Sequence, residues 1–176
     1  MAGVYVDRDE NGVINADDKY FFHKPAADFT MGLNTTLTYK NWTLAASGHG
    51  SLGNYIYNNV ASDGEMLADL WTNSFTSNRL ESALWSNFNQ ACYLSDYYIK
   101  DASFFKVDNV TLGYTFPSLF KSAKLDRALG LNIYATVQNV ATITNYEGLD
   151  PEVFSGIDNN LYPRPRTYIL GVKFNF

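Results

Sequence analysis

The last eleven residues alternate between two kinds of side chain, and this alternation constrains the fold more than any other feature of the sequence. The apolar and aromatic members share one face of an extended strand: Tyr168, Leu170, Val172, Phe174 and Phe176. A mixed set takes the other face: Ile169, Gly171, Lys173 and Asn175. A tilted strand of about 9–11 residues spans a bilayer. The segment is therefore typical either of the terminal strand of a membrane barrel or of an edge strand in a soluble sandwich.

Four further segments alternate in the same way, at residues 28–39, 42–50, 103–116 and 131–140. Together with the terminal segment they predict five antiparallel strands and an all-β fold. The adjacent pair Phe104 and Phe105 interrupts the alternation of the third segment. We expect a β-bulge at that pair.

The connections between these strands alternate between short and long. They comprise residues 40–41, 51–102, 117–130 and 141–165. Outer-membrane barrels place short turns on the periplasmic side and long loops outside the cell. Counting back from a periplasmic C-terminus, residues 141–165, 51–102 and 1–27 are expected to be extracellular. A soluble sandwich has no reason to follow this pattern.

Five strands are too few to close a barrel, because bacterial single-chain barrels have at least about eight. Lipid does not tolerate an open sheet edge either. We therefore expect residues 28–176 to be the C-terminal strands and loops of a larger transmembrane barrel, preceded by an extracellular loop at residues 1–27. Residues 1–7 lack the features of a secretory signal, which favours a mature piece or a fragment of a longer protein.

Composition agrees with a membrane barrel. The chain has 13 Tyr, 12 Phe and 3 Trp, a surplus that the aromatic girdles of a barrel would use. With a net charge of -5 and no basic run, nucleic acid is an unsuitable partner. Cys92 is the single cysteine, which excludes an internal disulfide.

Several motifs resemble those of one family. Residues 95–117, with the sequence SDYYIKDASFFKVDNVTLGYTFP, resemble the late-barrel signature of SusC/RagA-type TonB-dependent outer-membrane transporters. Residues 146–153 and 162–167, together with Asn139, are similar to the last extracellular loop and final strand of that family. Residues 7–14, 25–32 and 69–72 resemble earlier motifs of the same family. Three positions depart from its pattern: Ala102, Lys106 and Asp108.

The resemblance implies a barrel of about 22 strands with an N-terminal plug, in the outer membrane of a Gram-negative cell. It implies import of oligosaccharides or peptides with energy from TonB, beneath a SusD-like surface lipoprotein. The implied partners are the remainder of the barrel and the plug, that lipoprotein, the substrate and membrane lipid. The plug and the segment that contacts TonB would lie outside this chain.

A calcium site is predicted near the N-terminus. Oxygen-bearing groups occupy relative positions 1, 3, 5, 7, 9 and 12 of an EF-hand-type loop, with a glycine at position 6. They are Asp7, Asp9, Asn11, the carbonyl of Val13, Asn15 and Asp18, with Gly12 at the turn. Asp18 replaces the usual glutamate at the last position. The alternative is an Asx-rich turn without a metal.

The polar face of the strands predicts a set of lumen-facing side chains, while the apolar face would contact lipid. The candidates are Asn34, Thr36, Thr111, Asn132, Thr136, Gln138 and Lys173. In the long connection, Ser62 and Glu65 form a plausible capping box for a short helix that carries Met66, Leu67, Leu70 and Trp71.

No group of residues predicts catalysis. His23 and His49 lack a matched nucleophile. Asp150 and Glu152 flank Pro151 in a loop, where stabilising that loop is a simpler role than acting as a glycosidase carboxylate pair. Six aromatic residues could stack on sugars or pack among themselves: Tyr55, Tyr57, Trp71, Trp85, Tyr97 and Tyr98. The alternative to a transporter segment is therefore a soluble all-β carbohydrate-binding module rather than an enzyme.

Overall fold

The structure is a computed structural model, and it describes residues 5–66, 78–86, 88, 92–121, 128–159 and 162–175. The chain divides into two compact units. The sheet unit comprises Phe29–Leu52, Phe104–Thr144 and Pro163–Phe176. The loop unit comprises Met1–Asp28, Gly53–Ser103 and Asn145–Tyr162.

Eight strands occur among the described residues. They are β1 (Phe29–Tyr39), β2 (Trp42–Leu52), β3 (Tyr55–Asn58), β4 (Ile99–Asp101), β5 (Phe104–Lys121), β6 (Ala128–Thr144), β7 (Ile157–Asp158) and β8 (Thr167–Asn175). Two short helices are α1 (Asn59–Gly64) and α2 (Ala83–Ser86), and 3-10 turns lie at Ala16–Asp18 and Asp96–Tyr98. In the described part of the chain, no helix has the length and apolar character needed to cross a membrane.

The sheet unit is a single sheet in the order β1-β2-β5-β6-β8, and every neighbouring pair is antiparallel. These are the five strands that the alternation predicts, so the all-β antiparallel prediction is confirmed. A two-residue turn joins β1 to β2, where Tyr39 pairs with Trp42. Lys40 in this turn has a left-handed φ of 54°, as tight hairpin turns require.

The strands β5 and β6 are longer than the alternation predicts. Pro117 suggests the end of a strand because proline cannot donate a ladder hydrogen bond. In the structure the pairing of β5 with β6 continues beyond it, with a register shift between Phe116 and Phe120. The irregularity accommodates Pro117, and the sheet extends to a pair between Lys121 and Ala128.

The register divides the sheet into one apolar and one polar face. One row of the apolar face runs through Leu37, Leu44, Leu112, Ala135 and Leu170. The neighbouring row runs through Tyr39, Trp42, Tyr114, Ile133 and Val172. The predicted division of side chains between the two faces thus holds across all five strands.

The predicted bulge lies elsewhere. Against β2, Val107 pairs with Gly48 and Asn109 with Ser47, so Asp108 is an extra residue of β5. Against β6, two residues, Asn139 and Val140, lie opposite Asp108. Phe104 and Phe105 pair in regular register with both neighbouring strands, so the expectation of a bulge at this pair is wrong. Phe105 lies over Gly48 and Gly50 on the apolar face, where neither glycine has a side chain to obstruct it. The two phenylalanines therefore alternate normally, and the interruption falls at a polar residue.

The loop unit contains a small sheet that the sequence does not predict. β3 pairs antiparallel with β4 and parallel with β7. The backbone N–H of Tyr55 donates to the carbonyl of Lys24 at 3.2 Å. Parts of residues 1–27, 51–102 and 141–165 are therefore held together. Among the described residues their core consists of two clusters: Ile56, Ala102 and Tyr146, and Ala61, Cys92 and Tyr98.

The helix α1 begins earlier than expected. Asn58 is its N-cap, and the Asn58 side chain accepts a hydrogen bond from the backbone N–H of Ala61 at 2.9 Å. Ser62 lies inside the helix and is buried, so the predicted cap at Ser62 is wrong. Asn58 ends β3 and is itself a strong capping residue. Leu67, Leu70 and Trp71, expected in a following helix, lie outside the described residues.

Candidate functional site

Residues 7–18 form a tight loop held by its own side chains. Asp7 accepts hydrogen bonds from the backbone N–H groups of Asn11 at 3.2 Å and Gly12 at 2.7 Å. The side-chain oxygen of Asn11 accepts from the N–H of Val13 at 2.8 Å. Glu10 and Gly12 have left-handed φ values of 58° and 81°, which give the loop its sharp turn.

Three carboxylates meet in this loop. One oxygen each from Asp7, Asp9 and Asp18 lies within 4.8 Å of the others. Calcium binds oxygen at about 2.3–2.6 Å, so opposite ligands of one ion are roughly 5 Å apart. The spacing of the three carboxylates is therefore compatible with one hard cation.

The remaining predicted ligands have other contacts. The Val13 carbonyl accepts from the amide of Asn15 at 3.4 Å, and the amide of Asn11 donates to Asp9 at 2.6 Å. The Asn15 oxygen accepts from the N–H of Asp17 at 2.6 Å and caps the 3-10 turn. The structure thus brings together the three acidic candidates, while Asn15 acts as a cap.

Asp18 remains ionised because backbone donors surround it. The N–H groups of Asn15 and Arg8 donate to its two oxygens at 2.8 and 2.7 Å. These hydrogen bonds lower the pKa of the Asp18 carboxyl group below its ordinary value. A negative charge is therefore maintained at this corner of the loop.

The acidic loop is linked to a distant part of the loop unit. The Arg8 guanidinium lies 4.2 Å from the centroid of the Tyr20 ring, and the Tyr20 hydroxyl donates to Asp96 at 2.6 Å. This hydrogen bond raises the pKa of Tyr20. The Tyr5 hydroxyl donates to the carbonyl of Tyr93 at 2.7 Å. Tyr5 and Tyr20, which flank the loop on either side, thus each donate a hydrogen bond to a residue of the segment 93–96.

The seven predicted lumen-facing residues share the polar face of the sheet. Their strand register places them there: Asn34, Thr36, Thr111, Asn132, Thr136, Gln138 and Lys173. The hydroxyls of Thr111 and Thr136 lie 2.7 Å apart across β5 and β6. Asn132 donates to Thr115 at 2.8 Å. The polar side chains thus form ladders between neighbouring strands.

A cluster around His49 on the polar face was not predicted as a group. The ring nitrogen Nδ1 of His49 lies 2.8 Å from Asp108, the bulge residue. The His49 ring packs edge-on against Phe104, and the buried Lys106 places its ammonium 5.2 Å from the centroid of that phenylalanine ring. Lys106 and Asp108 are two of the positions that depart from the family pattern. Both lie in this cluster, Lys106 beside Phe104 and Asp108 beside His49. The only sequence signal was the interrupted alternation in β5.

Large side chains on the apolar face of the sheet are widely exposed, which is unfavourable in water. Leu170 is 85% exposed, Leu37 61% and Leu33 58%. Such a contiguous apolar surface is typical of an interface with lipid or with another protein. A soluble sandwich would need a second sheet packed over this face.

The aromatic candidates for sugar stacking largely contact one another. Tyr55 stacks on His23 with ring centroids 3.7 Å apart, and Tyr97 packs edge-on against Tyr98. Burial raises the pKa of Tyr98. Trp85 is 75% exposed, and Trp71 lies outside the described residues. Packing among loop aromatics explains the arrangement of the tyrosines.

The remaining polar candidates have local contacts. Asp150 accepts from the N–H of Glu152 at 2.9 Å, across Pro151, so this pair braces its own loop. Asn139 has a left-handed φ of 53°, and its amide donates to the carbonyl of Arg164 at 2.8 Å. That contact holds the residues leading into β8.

Comparisons with known proteins agree on one group of relatives. No family profile matches the chain. The TonB-dependent receptor SusC of Bacteroides thetaiotaomicron is 43% identical over 100% of the chain. The TonB-dependent receptor P3 of Formosa agariphila is 28% identical over 98% of it. The chain spans 18% and 19% of the lengths of these two relatives.

Solved structures show the same fold. The RagAB peptide transporter matches 93% of the chain with a TM-score of 0.73 at 22% identity. The RagAB peptide importer in its closed-closed state matches 94% with a TM-score of 0.66 at 20% identity. The chain covers 19% and 20% of those structures. The five-stranded sheet with its long connections is therefore a segment of a β-barrel of this type.

Proposed function

Since the chain belongs to the family of SusC-type TonB-dependent receptors, a family of transporters rather than enzymes, we propose that it forms the C-terminal wall of an outer-membrane importer. The observation that carries this proposal is the sheet, which has one polar face and one broad exposed apolar face. In a barrel, the polar face lines the lumen and the apolar face contacts lipid.

The remainder of the barrel and the plug lie in other parts of the complete receptor. β1 and β8 are the two edges of the described sheet, and a barrel must pair both with further strands. TonB acts through a part outside this chain. In this proposal, the long connections of the loop unit lie on the extracellular side, and a SusD-like lipoprotein covers the entrance there.

The substrate class is an oligosaccharide or a peptide. SusC is the relative with 43% identity, and the RagAB structures are described as a peptide importer and transporter. The polar ladders of Thr111 with Thr136 and of Asn132 with Thr115 offer neutral hydrogen-bonding groups to either class. The soluble carbohydrate-binding module has less support, because its core would have to cover the exposed apolar face.

Uptake by intact cells tests the proposal. The complete receptor and a version lacking β6 to β8 are expressed in a host that carries its SusD-like lipoprotein and TonB. We expect uptake of labelled oligosaccharides or peptides with the complete receptor, and loss of that uptake on removing TonB or the strands. Uptake that persists without the strands would contradict the proposal.

We further propose that the acidic loop binds Ca²⁺ in the complete receptor and orders the extracellular entrance. Three carboxylates within 4.8 Å repel one another, and a divalent cation relieves that repulsion. The contacts from Arg8 to Tyr20 and from Tyr20 to Asp96 connect the loop to residues 93–96. Calcium would thereby stabilise a larger part of the loop unit.

Titration calorimetry on the complete receptor tests this proposal by measuring the heat of Ca²⁺ binding. We expect Ca²⁺ binding to be lost in Asp9→Asn, because this change removes one of the three converging charges. Asp17→Asn is the matched control, since Asp17 is a neighbouring carboxylate outside the cluster. Absence of calcium heat in the unmodified receptor, or an equal loss in both variants, would refute the site.

A further inference from the structure

The apolar face of the sheet contains a groove centred on Ala135. Ala135 pairs with Leu112 on β5 and with Leu170 on β8. A methyl side chain between two leucines leaves a depression between them. The groove has a volume of about 630 Å³, and aromatic or aliphatic side chains continue its wall toward the turn between β1 and β2: Trp42, Tyr114, Phe116 and Ile133.

The groove suits an apolar chain. Its walls consist almost entirely of apolar groups, and Leu112 and Leu170 are 46% and 85% exposed. Its volume falls within the range of small-molecule sites, roughly 300–1,000 Å³. Trp42 and Tyr114 pack edge-on with ring centroids 4.8 Å apart, which gives one wall a rigid aromatic surface.

Polar and positive groups lie at the turn end of this face. The Asn41 amide donates to the Tyr114 hydroxyl at 3.4 Å, so the aromatic wall ends in hydrogen-bonding groups. The Lys40 ammonium lies 5.4 Å from the centroid of the Tyr39 ring. Tyr39 belongs to the apolar face. Tyr39 pairs with Trp42, which lines the groove. Lys40 is therefore two residues along the chain from Trp42, at the aromatic end of the groove.

We propose that the groove binds one acyl chain of an anionic glycerophospholipid, with the phosphate group of that lipid placed against Lys40. The apolar wall accepts the chain, and the aromatic and amide groups lie at the level where lipid headgroups begin. Charge complementarity with Lys40 favours an anionic headgroup over a zwitterionic one. This inference rests on the proposed function, because the groove meets lipid only if the sheet faces a bilayer.

Native mass spectrometry of the complete receptor tests the site. The receptor is reconstituted in nanodiscs of phosphatidylethanolamine and phosphatidylglycerol, released into detergent, and its retained lipids are counted. Ala135→Phe fills the groove. Ala46→Phe is the matched control, because Ala46 lies on the same face between Thr35 and Val110 and outside the groove.

We expect the unmodified receptor and Ala46→Phe to retain phosphatidylglycerol, and Ala135→Phe to lose it. Lys40→Gln should reduce the preference for phosphatidylglycerol over phosphatidylethanolamine by about fivefold, the effect of one basic residue near a lipid surface. Equal lipid retention by the two alanine variants would overturn the site. A receptor that does not enter nanodiscs at all would instead overturn the proposed function.

Discussion

At the scale of single residues, the loop unit depends on a buried tyrosine–carboxylate pair. The Tyr146 hydroxyl donates to Asp158 at 2.8 Å, and Asp158 is only 1% exposed. Burial and this hydrogen bond raise the pKa of Tyr146 well above its ordinary value near 10. The tyrosine therefore stays neutral in the folded protein at a pH where it would ionise in the unfolded chain.

The pair predicts a pH dependence. Because the pKa of Tyr146 is raised by folding, its stabilising contribution is complete below about pH 10 and declines as the pH rises above that value. Tyr146→Phe should lower the free energy of unfolding by about 1–3 kcal/mol at neutral pH, since buried Asp158 loses a donor. It should also reduce the alkaline loss of stability. Thermal unfolding of both forms across alkaline pH measures this effect, and identical pH profiles would contradict it.

Residue-scale roles were only partly predictable from the sequence. The spacing of Asp7, Asp9 and Asp18 predicted their convergence, because loop ligands at alternate positions are local in the chain. The pairing of His49 with Asp108 could not be predicted in this way. It depends on a bulge that places one particular residue of β5 opposite β2. Asn139 was noted for its family resemblance, but its contact with Arg164 depends on the fold.

At the scale of elements, aromatic rings cover glycines in neighbouring strands. The Tyr134 ring on β6 occupies the space that a side chain at Gly171 of β8 would need. Such a ring over a strand glycine protects backbone that would otherwise lack packing. Tyr134 and Gly171 are direct partners in the register of β6 against β8.

Gly171→Ala should therefore lower the stability of the assembled receptor by about 1–3 kcal/mol through overpacking. Gly32→Ala is the control, because an added side-chain carbon at Gly32 of β1 meets nothing within 4 Å. For each variant, unfolding is monitored by the loss of the gel mobility of the folded barrel, and the stabilities of the two variants are compared. Equal effects would show that the contact with Tyr134 is unimportant.

The two faces of the sheet predict different responses to substitution. Leu112→Arg and Ile133→Arg should destabilise the barrel by about 2–4 kcal/mol near the bilayer midplane, because arginine would have to enter lipid. Thr136→Ala on the polar face should have a mild effect. Assembly in the membrane fraction measures all three, and full tolerance of both arginine variants would contradict the assigned lipid face.

The strands of the large sheet were predictable because period-two alternation is a local property that extends over many residues. The strands β3, β4 and β7 were missed because they have four, three and two residues and form only when distant segments meet. The bulge at Asp108 likewise depends on pairing with β2, and the continuation of β5 beyond Pro117 depends on pairing with β6. Long-range contacts therefore determine what local patterns do not.

At the scale of the whole molecule, the described sheet leaves two strand edges without a neighbouring strand and one apolar face exposed. β1 and β8 end the described sheet, and the apolar face remains exposed. In the proposed importer, the remaining strands of the barrel pair with these two edges, and lipid covers the apolar face. SusC and the RagAB transporter structure are each about five times as long as this chain.

A heat-modifiability gel on membrane-extracted receptor, with this chain detected by an antibody, distinguishes a membrane barrel from a soluble protein. We expect unheated material to migrate as a compact, detergent-stable barrel, and heating to shift the chain to the mobility of the unfolded polypeptide. A chain that is recovered in the water-soluble fraction, with the same mobility before and after heating, would contradict the assignment to a membrane barrel.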